Sequence, residues 1–359
     1  MIHGHGGNIY ELARRIGCNP SDIVDMSSNM NPLGPPPGLT AFLQASLDRI
    51  TALPEVDAVG IRTAFCEKYG VQTDRVIAGN GTTQFIYSIP LAFGSRHALI
   101  LAPAYADYAD ACRMHGVGLS FLTTGPETGF SCSADQILSA VDNTGADLVF
   151  ICNPNNPTGV FMSVEIIKTV CAARPDVVFV IDESYLPFVE GDTPKGVMHE
   201  TQFDNIVVLH SMSKIFGIPG LRIGFAVASE HLIQRLEAYN LPWCTNSLAQ
   251  AAVNWLMTDK TVDRFVEETL TLLNAEKTFL KGQLTGSDRL TLFDSTTSFV
   301  LVQLNGDYSA ETVCGQLGDR RILIRNCGNF QSLSDRFIRI SLKLREQNRL
   351  LVGAIKEIL

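Results

Sequence analysis

Six short apolar runs recur through the middle of the chain, at residues 76–78, 98–102, 148–152, 177–181, 206–209 and 224–228. Several are apolar at consecutive positions, the pattern of strands covered on both faces. Stretches with helical spacing, such as 164–173, separate them. Strand, loop and helix in repetition predict an α/β structure: a mostly parallel central sheet with helices on both faces. Upstream, 9–16, 39–50 and 59–69 read as helices, the first two separated by the Pro-rich stretch 27–37, which can continue neither a helix nor a central strand. Beyond about residue 256 the pattern changes. A long amphipathic helix is predicted at 261–284, strands at 290–293, 299–304, 322–325 and 337–341, and a final helix at 346–358. The expected organisation is a large domain at 44–256 and a smaller α+β domain at 257–359, with an N-terminal arm at 1–43 that contributes to the small domain.

Composition narrows the class. Hydrophobic residues make up 46% and charged ones 18%, which describes a globular chain, and 359 residues suffice for two domains. A net charge of −9 argues against a nucleic-acid partner. The nine cysteines include no Cys-x-x-Cys pair, so a reduced cytoplasmic protein is expected rather than a disulfide framework or a zinc site. No apolar run approaches the ~18 residues of a membrane span. The first residues lack the basic and apolar regions of a signal peptide. His3 and His5 stand close together, but no nearby acid or cysteine completes a ligand set, so no metal is expected and the segment reads as a glycine-rich arm.

Ligands of an open parallel sheet sit beyond the carboxyl ends of its strands, so the residues after each run are the candidates for chemistry. The first run is followed by Gly79-Asn80-Gly81-Thr82-Thr83 and a helical stretch, either a phosphate cradle or a plain connecting turn. The second leads to Tyr105, which can stack on a flat ring or simply pack. The third leads to Asn153-Pro154-Asn155-Asn156-Pro157-Thr158-Gly159, a rigid turn that can aim an amide at a ring oxygen. The fourth ends in Asp182-Glu183-Ser184-Tyr185. An acid there also suits nucleotide hydrolysis, but the Gly-x4-Gly-Lys-Ser/Thr loop which that needs is missing. The fifth gives Ser211, Ser213, Lys214 and Arg222. Hydroxyls and an arginine suit a phosphate, and a lysine can form an imine with an aldehyde. Phosphate and aldehyde together suggest pyridoxal phosphate. Each motif alone has a bland reading; five in order along the sheet do not.

With these motifs assembled, the chain resembles pyridoxal-phosphate enzymes of the aspartate-aminotransferase fold over nearly its whole length. The resemblance implies that Lys214 carries the cofactor as an imine and moves protons, and that Asp182 pairs with the ring nitrogen. Asn156 and Tyr185 would donate to the ring oxygen and Tyr105 would stack on the ring. Gly81, Thr82, Ser211, Ser213 and Arg222 would hold the cofactor phosphate. On the substrate side it implies Asn156, Arg325 and Arg339, with His5, Gly7 and Asn31 from the arm. Within the superfamily the likeness is tighter to threonine-phosphate decarboxylases of cobalamin synthesis than to histidinol-phosphate aminotransferases. It rests on residues 5–9 and 321–327, with further similarity at 28–34 and 241–246. Two departures stand out. Leu53-Pro54 replaces a Tyr-Pro whose phenol reaches the neighbouring subunit's cofactor phosphate, and Lys343 stands where the decarboxylases have an arginine. A homodimer with shared active sites is implied, acting on a phosphorylated amino acid.

Three choices stay open in the sequence. A non-catalytic, effector-sensing use of the fold is disfavoured by the short arm and the net charge. Lyase and transferase need the same residues, so Lys214, Asp182 and Asn156 do not separate decarboxylation from transamination. Phosphothreonine and phosphoserine differ by one methyl, worth only ~1–3 kcal/mol in a pocket.

Overall fold

The computed structural model describes residues 6–191 and 196–359. Its strands are β1 (Val24–Met26), β2 (Val76–Gly79), β3 (His97–Ala102), β4 (Gly118–Thr123), β5 (Leu148–Cys152), β6 (Val178–Asp182), β7 (Ile206–Ser211), β8 (Gly224–Ala228), β9 (Leu290–Leu292), β10 (Phe299–Leu304), β11 (Ile322–Asn326) and β12 (Phe337–Ser341). A seven-stranded sheet has the order β2-β8-β7-β6-β5-β3-β4, and a five-stranded sheet the order β1-β11-β12-β10-β9.

The large sheet is parallel except at β8, which runs antiparallel to both its neighbours. Its middle strands β5 and β7 are buried at every position. Helices cover both faces, so no face of these strands needs polar residues, and their sequences run apolar without alternation. Fully burying each such Val, Leu, Ile or Phe contributes ~1.5–3 kcal/mol. The edge strand β4 is half-buried along most of its length and mixes Gly, Ser and Thr with apolar residues. It therefore lacks the continuous apolar run that marked the other strands.

The helices predicted at 9–16, 59–69, 164–173 and 261–284 form with those bounds. The stretch 39–50 differs: an α-helix, Leu39–Ala45, stops at Ser46 and a 3-10 segment, Leu47–Thr51, follows. Leu39 is buried, whereas Leu47 and Ile50 lie exposed. With its later residues exposed, this segment lacks the continuous buried face that would hold a longer helix in place. The short strand β1 pairs in parallel with β11, Val24 opposite Ile322, and so ties the N-terminal segment to the five-stranded sheet. Among the described residues no helix is long and apolar enough to cross a membrane.

His210, on β7, is a buried polar residue that the core accommodates without a hydrogen bond. Its ring stands edge-on to Phe65 and Tyr69, at centroid distances of 5.4 and 5.1 Å. Neither nitrogen has a partner among the described residues. Burial therefore pushes the imidazole down to about 4. The unfolded chain takes up this proton near its ordinary value of ~6.5. The stability held by neutral His210 is thus complete above that pH and is lost as pH falls toward the folded value. Urea unfolding at pH 7.5 and 5 should show that His210→Leu reduces the acid-induced loss of stability by ~2 kcal/mol. Equal pH dependence in the two proteins would refute the linkage.

Candidate active site

A cavity of about 530 Å³ opens at the carboxyl ends of β5, β6 and β7. Gly7, Gly81, Thr82, Tyr105, Asn156, Asp182, Tyr185, Ser211, Ser213, Lys214, Arg222, Arg325 and Arg339 all line it. Of the other two expected residues, one cannot be placed and one lies elsewhere. His5 lies outside the described residues. Asn31 sits behind the lysine loop, where its amide donates to Ile215 O at 2.7 Å and Thr269 Oγ1 at 2.8 Å. Its backbone N–H meets Lys214 O at 3.2 Å. Asn31 braces the loop from behind, with both amide hydrogens committed, and so does not reach the cavity.

The antiparallel course of β8 completes one corner. Because β8 begins at the end where β7 finishes, Arg222 and Gly224 return beside Gly81 and Thr82. Gly81 has φ 75°, and a Cβ there would lie 2.5 Å from Arg222 Nη2. A Cβ on Gly224 would lie 2.7 Å from Thr82 N. At Gly224 the near atom is backbone, and at Gly81 the positive φ itself disfavours a side chain, so both positions call for glycine. The helix Thr82–Ala92 starts at this point with no side chain capping it. Its first N–H groups, the guanidinium and the Ser211 and Ser213 hydroxyls form a set of donors suited to a phosphate. The cradle thus fits a phosphorylated cofactor.

Deeper in, Asp182 is 5% exposed. Its Oδ2 accepts the Tyr108 phenol at 2.7 Å and its Oδ1 the Ser184 N–H at 3.0 Å. Tyr185 accepts Asn29 Nδ2 at 3.1 Å, and burial pushes its phenol up to about 12, with Arg339 and Asn29 opposing. Tyr105 lines the cavity edge-on to Tyr108. Lys214 keeps some surface because the cavity opens beside it, yet protein surrounds it closely. That burial, with Arg339 and Arg222 nearby, lowers its ammonium to about 8, against the pull of Asp182 and Asp25. A lysine so shifted has a sizeable neutral fraction near pH 7.5 and can act as a nucleophile.

The five-stranded sheet supplies the opposite wall. Arg339 is buried and donates Nη1 to Asn156 Oδ1 and Nη2 to Ser27 O, the latter at 2.7 Å. Its guanidinium also lies over Phe299. Arg325 faces it directly across the β11–β12 pair. Arg325 rests over Phe330, donates Nη2 to Asn329 Oδ1 at 2.6 Å, and is held down to about 10 by burial. Gly7 donates its N–H to Ser27 Oγ at 2.7 Å, and the Ser27 hydroxyl donates to Asp25 Oδ1 at 2.7 Å. One serine therefore joins the arm, β1 and Arg339.

Asp25, Ser27 and Tyr108 were not among the residues expected from the motifs. Tyr108 had no distinct signal: it sits on the helix Ala106–Met114, just past Tyr105 at its N-cap, and reads as a core aromatic. Asp25 and Ser27 had none, since β1 is too short to read. Lys343 lies outside the cavity lining. Burial lowers its ammonium, with Asp25 opposing.

The fold and this site define a class: residues 21–355 match the model of aminotransferase class I and II, and the chain belongs to that family, whose members bind pyridoxal phosphate. Particular relatives refine the likeness. The chain is 32% identical over 357 residues to a putative threonine-phosphate decarboxylase from Caldanaerobacter subterraneus, covering 98% of this chain and 93% of that one. It is 30% identical to a histidinol-phosphate aminotransferase from Methanocella arvoryzae, covering 98% and 94%. It is 31% identical, over 99% of its length, to the adenosylcobalamin biosynthesis bifunctional protein CobDQ of Leptospira interrogans, of which it spans only 41%. The crystal structure of L-threonine-O-3-phosphate decarboxylase from Porphyromonas gingivalis superposes with a TM-score of 0.83 at 28% identity, covering 94% and 99%.

Lys214→Ala should purify without the visible absorption of a lysine-bound cofactor and without turnover. In the parent protein, borohydride followed by peptide mass spectrometry should fix the cofactor at Lys214. Cofactor attached to another lysine, or near-normal turnover in the variant, would displace Lys214 from this role.

Proposed function

We propose that the protein is a pyridoxal-phosphate-dependent carboxy-lyase. It converts L-threonine O-3-phosphate to (R)-1-aminopropan-2-yl phosphate and carbon dioxide, with L-serine phosphate as a second candidate, in adenosylcobalamin synthesis. The observation that carries the substrate class is the pair Arg325 and Arg339, directly opposed on β11 and β12 and both lining the cavity. Like charges set opposite each other destabilise a strand pair. An anion between them turns that cost into binding, and two guanidinium forks suit the oxygens of a phosphate and a carboxylate. Threonine-phosphate decarboxylases among the relatives favour the lyase, as does the likeness at 5–9 and 321–327.

Bound pyridoxal phosphate would supply an electron sink for whichever Cα bond stands parallel to its ring orbitals. The residues present can serve it as follows. Asp182 holds a proton on the ring nitrogen. Asn156 gives its Oδ1 to Arg339, which leaves its Nδ2 to donate. Tyr185 accepts from Asn29, which leaves its own proton to donate. Gly81, Thr82, Ser211, Ser213 and Arg222 would hold the cofactor phosphate, and Tyr105 would stack on the ring. Lys214, lowered to about 8 and so still partly an ammonium there, would in that form return a proton to Cα and become the neutral amine. Arg325, Arg339 and the arm at Gly7 would bind the phosphate and carboxylate of the substrate and so orient its Cα.

Histidinol-phosphate transamination is the rival, favoured by relatives of similar identity and coverage. Carbon dioxide and an aminoalkyl phosphate should form from L-threonine phosphate alone, with no keto acid added. Arg325→Ala should raise KM for that substrate roughly 10–100-fold, the worth of charged hydrogen bonds, while leaving the cofactor spectrum intact. Histidinol-phosphate transamination with 2-oxoglutarate, and no carbon dioxide from either phosphoamino acid, would overturn the lyase.

We also propose a cytoplasmic homodimer. Leu53 is 76% exposed and Leu241 72%, with Ile50, Val56 and Trp243 exposed as well. The two segments are joined where Trp243 N–H donates to Val56 O at 3.1 Å. An apolar patch of this kind calls for a covering surface, and a second copy meets the need. Light scattering should give twice the chain mass, and Leu53→Asp with Leu241→Asp should shift it toward monomer. A fully active monomer at micromolar concentration would rule the shared site out.

A further inference from the structure

We infer that Asn329 sets the charge selectivity at the substrate end of the cavity. It fixes Arg325 through a neutral oxygen, so the whole guanidinium charge is left to tell a doubly charged phosphate ester from a singly charged group of the same shape. The inference deepens the proposed function and rests on its reading that the substrate carries a phosphate. Arg325, Asn329 and Phe330 all line the cavity. Arg325 donates Nη2 to Asn329 Oδ1 at 2.6 Å, and its guanidinium carbon lies 5.1 Å from the centre of the Phe330 ring. An edge and a face of the guanidinium are thereby held. The segment that holds them is itself anchored. Cys327 N–H donates to Phe337 O at 2.9 Å, and Phe330 N–H to Cys327 O at 3.0 Å. Cys327, Phe330 and Leu333 are buried in one apolar cluster with Phe337. Asn329 stands exposed between these anchors.

A charge taken out of water is ordinarily paired with its opposite. Arg325 is not. Among the described residues, Asn329 is the one side chain that accepts from its guanidinium. The ionisable groups acting on it are Arg339 from β12, Cys327 after β11, Cys314 from the helix Ala310–Asp319 and Tyr105 after β3. No carboxylate is among them. Burial keeps both thiols and the phenol in their neutral forms near pH 7.5. Asp25 acts on Arg339 instead. An amide oxygen gives the guanidinium a direction without cancelling its charge. At a given distance, Coulomb attraction grows in proportion to the charge on the ligand. A phosphate ester carries a charge of about −2 at pH 7.5, its second ionisation lying at ~6. A sulfate ester of the same shape carries one charge fewer.

The probes are L-threonine O-phosphate, L-threonine O-sulfate and L-threonine, and the proteins are the parent holoprotein, Asn329→Asp and Asn329→Ala. Dissociation constants come from the absorbance change of the bound cofactor on rapid mixing at pH 7.5, before turnover. This readout is independent of which substrate bond is broken. A thermal melt and the resting spectrum check folding and cofactor content. The parent should bind the phosphate ester about tenfold more tightly than the sulfate ester, the worth of one charge-assisted contact. Asn329→Asp sets a carboxylate against Arg325 and should weaken the phosphate ester about tenfold more than the sulfate ester, which removes the preference. Asn329→Ala loosens Arg325 but leaves its charge, so both esters should weaken by one factor and the preference should remain. A preference unchanged in Asn329→Asp, or lost equally in Asn329→Ala, would overturn the role of Asn329 while the phosphate reading stands. A parent that binds neither ester more tightly than L-threonine would overturn that reading, and this inference with it.

Discussion

Charge gathered in one enclosed cavity is the condition on which the site depends. Asp182, Lys214, Arg325 and Arg339 line a single cavity, and taking each out of water costs several kcal/mol unless a partner compensates it. The compensation is specific. Asp182 has Tyr108 and Ser184, Arg339 has Asn156 and Ser27, and Arg325 has Asn329. Lys214 has weaker help, from Asp182 and Asp25 against two arginines, and its proton is correspondingly loosened. The imbalance is useful. Lys214 is the cation that these surroundings do not fully stabilise.

Two sheets share this arrangement. The seven-stranded sheet brings the cofactor-side groups together because its parallel strands all end at one edge. The antiparallel β8 adds Arg222 by starting where the others stop. The five-stranded sheet supplies Arg325 and Arg339, and β1 links it to the arm through Ser27. Ser27 takes an N–H from Gly7 on its hydroxyl and a guanidinium N–H from Arg339 on its carbonyl. The same few atoms therefore join Arg339 to the arm segment that lines the cavity.

Much of this was legible in the chain alone. Strands buried on both faces announce themselves as unbroken apolar runs, and β5, β7 and β8 lie within a residue or two of where those runs stand. Motifs at their ends named Lys214, Asp182, Tyr185, Asn156 and Arg222, because a ligand site on a parallel sheet has one place to be. The helix at 261–284 was equally clear, its apolar positions repeating over many turns.

What the sequence could not decide were matters of partnership across long separations. The edge strand β4 is half-buried and so lacks the apolar signature, and β1 has only three residues and acquires strand geometry by pairing with β11. Asn31 carries the same amide whether it faces a substrate or braces the lysine loop; its contacts with Ile215 and Thr269 settle that. Tyr108 reads as one more core aromatic until β6 brings Asp182 within 2.7 Å of its hydroxyl. Local pattern records how each segment is buried, because burial acts on every residue of the segment. A hydrogen bond between residues 74 positions apart depends on two atoms, and only the packed chain brings them together.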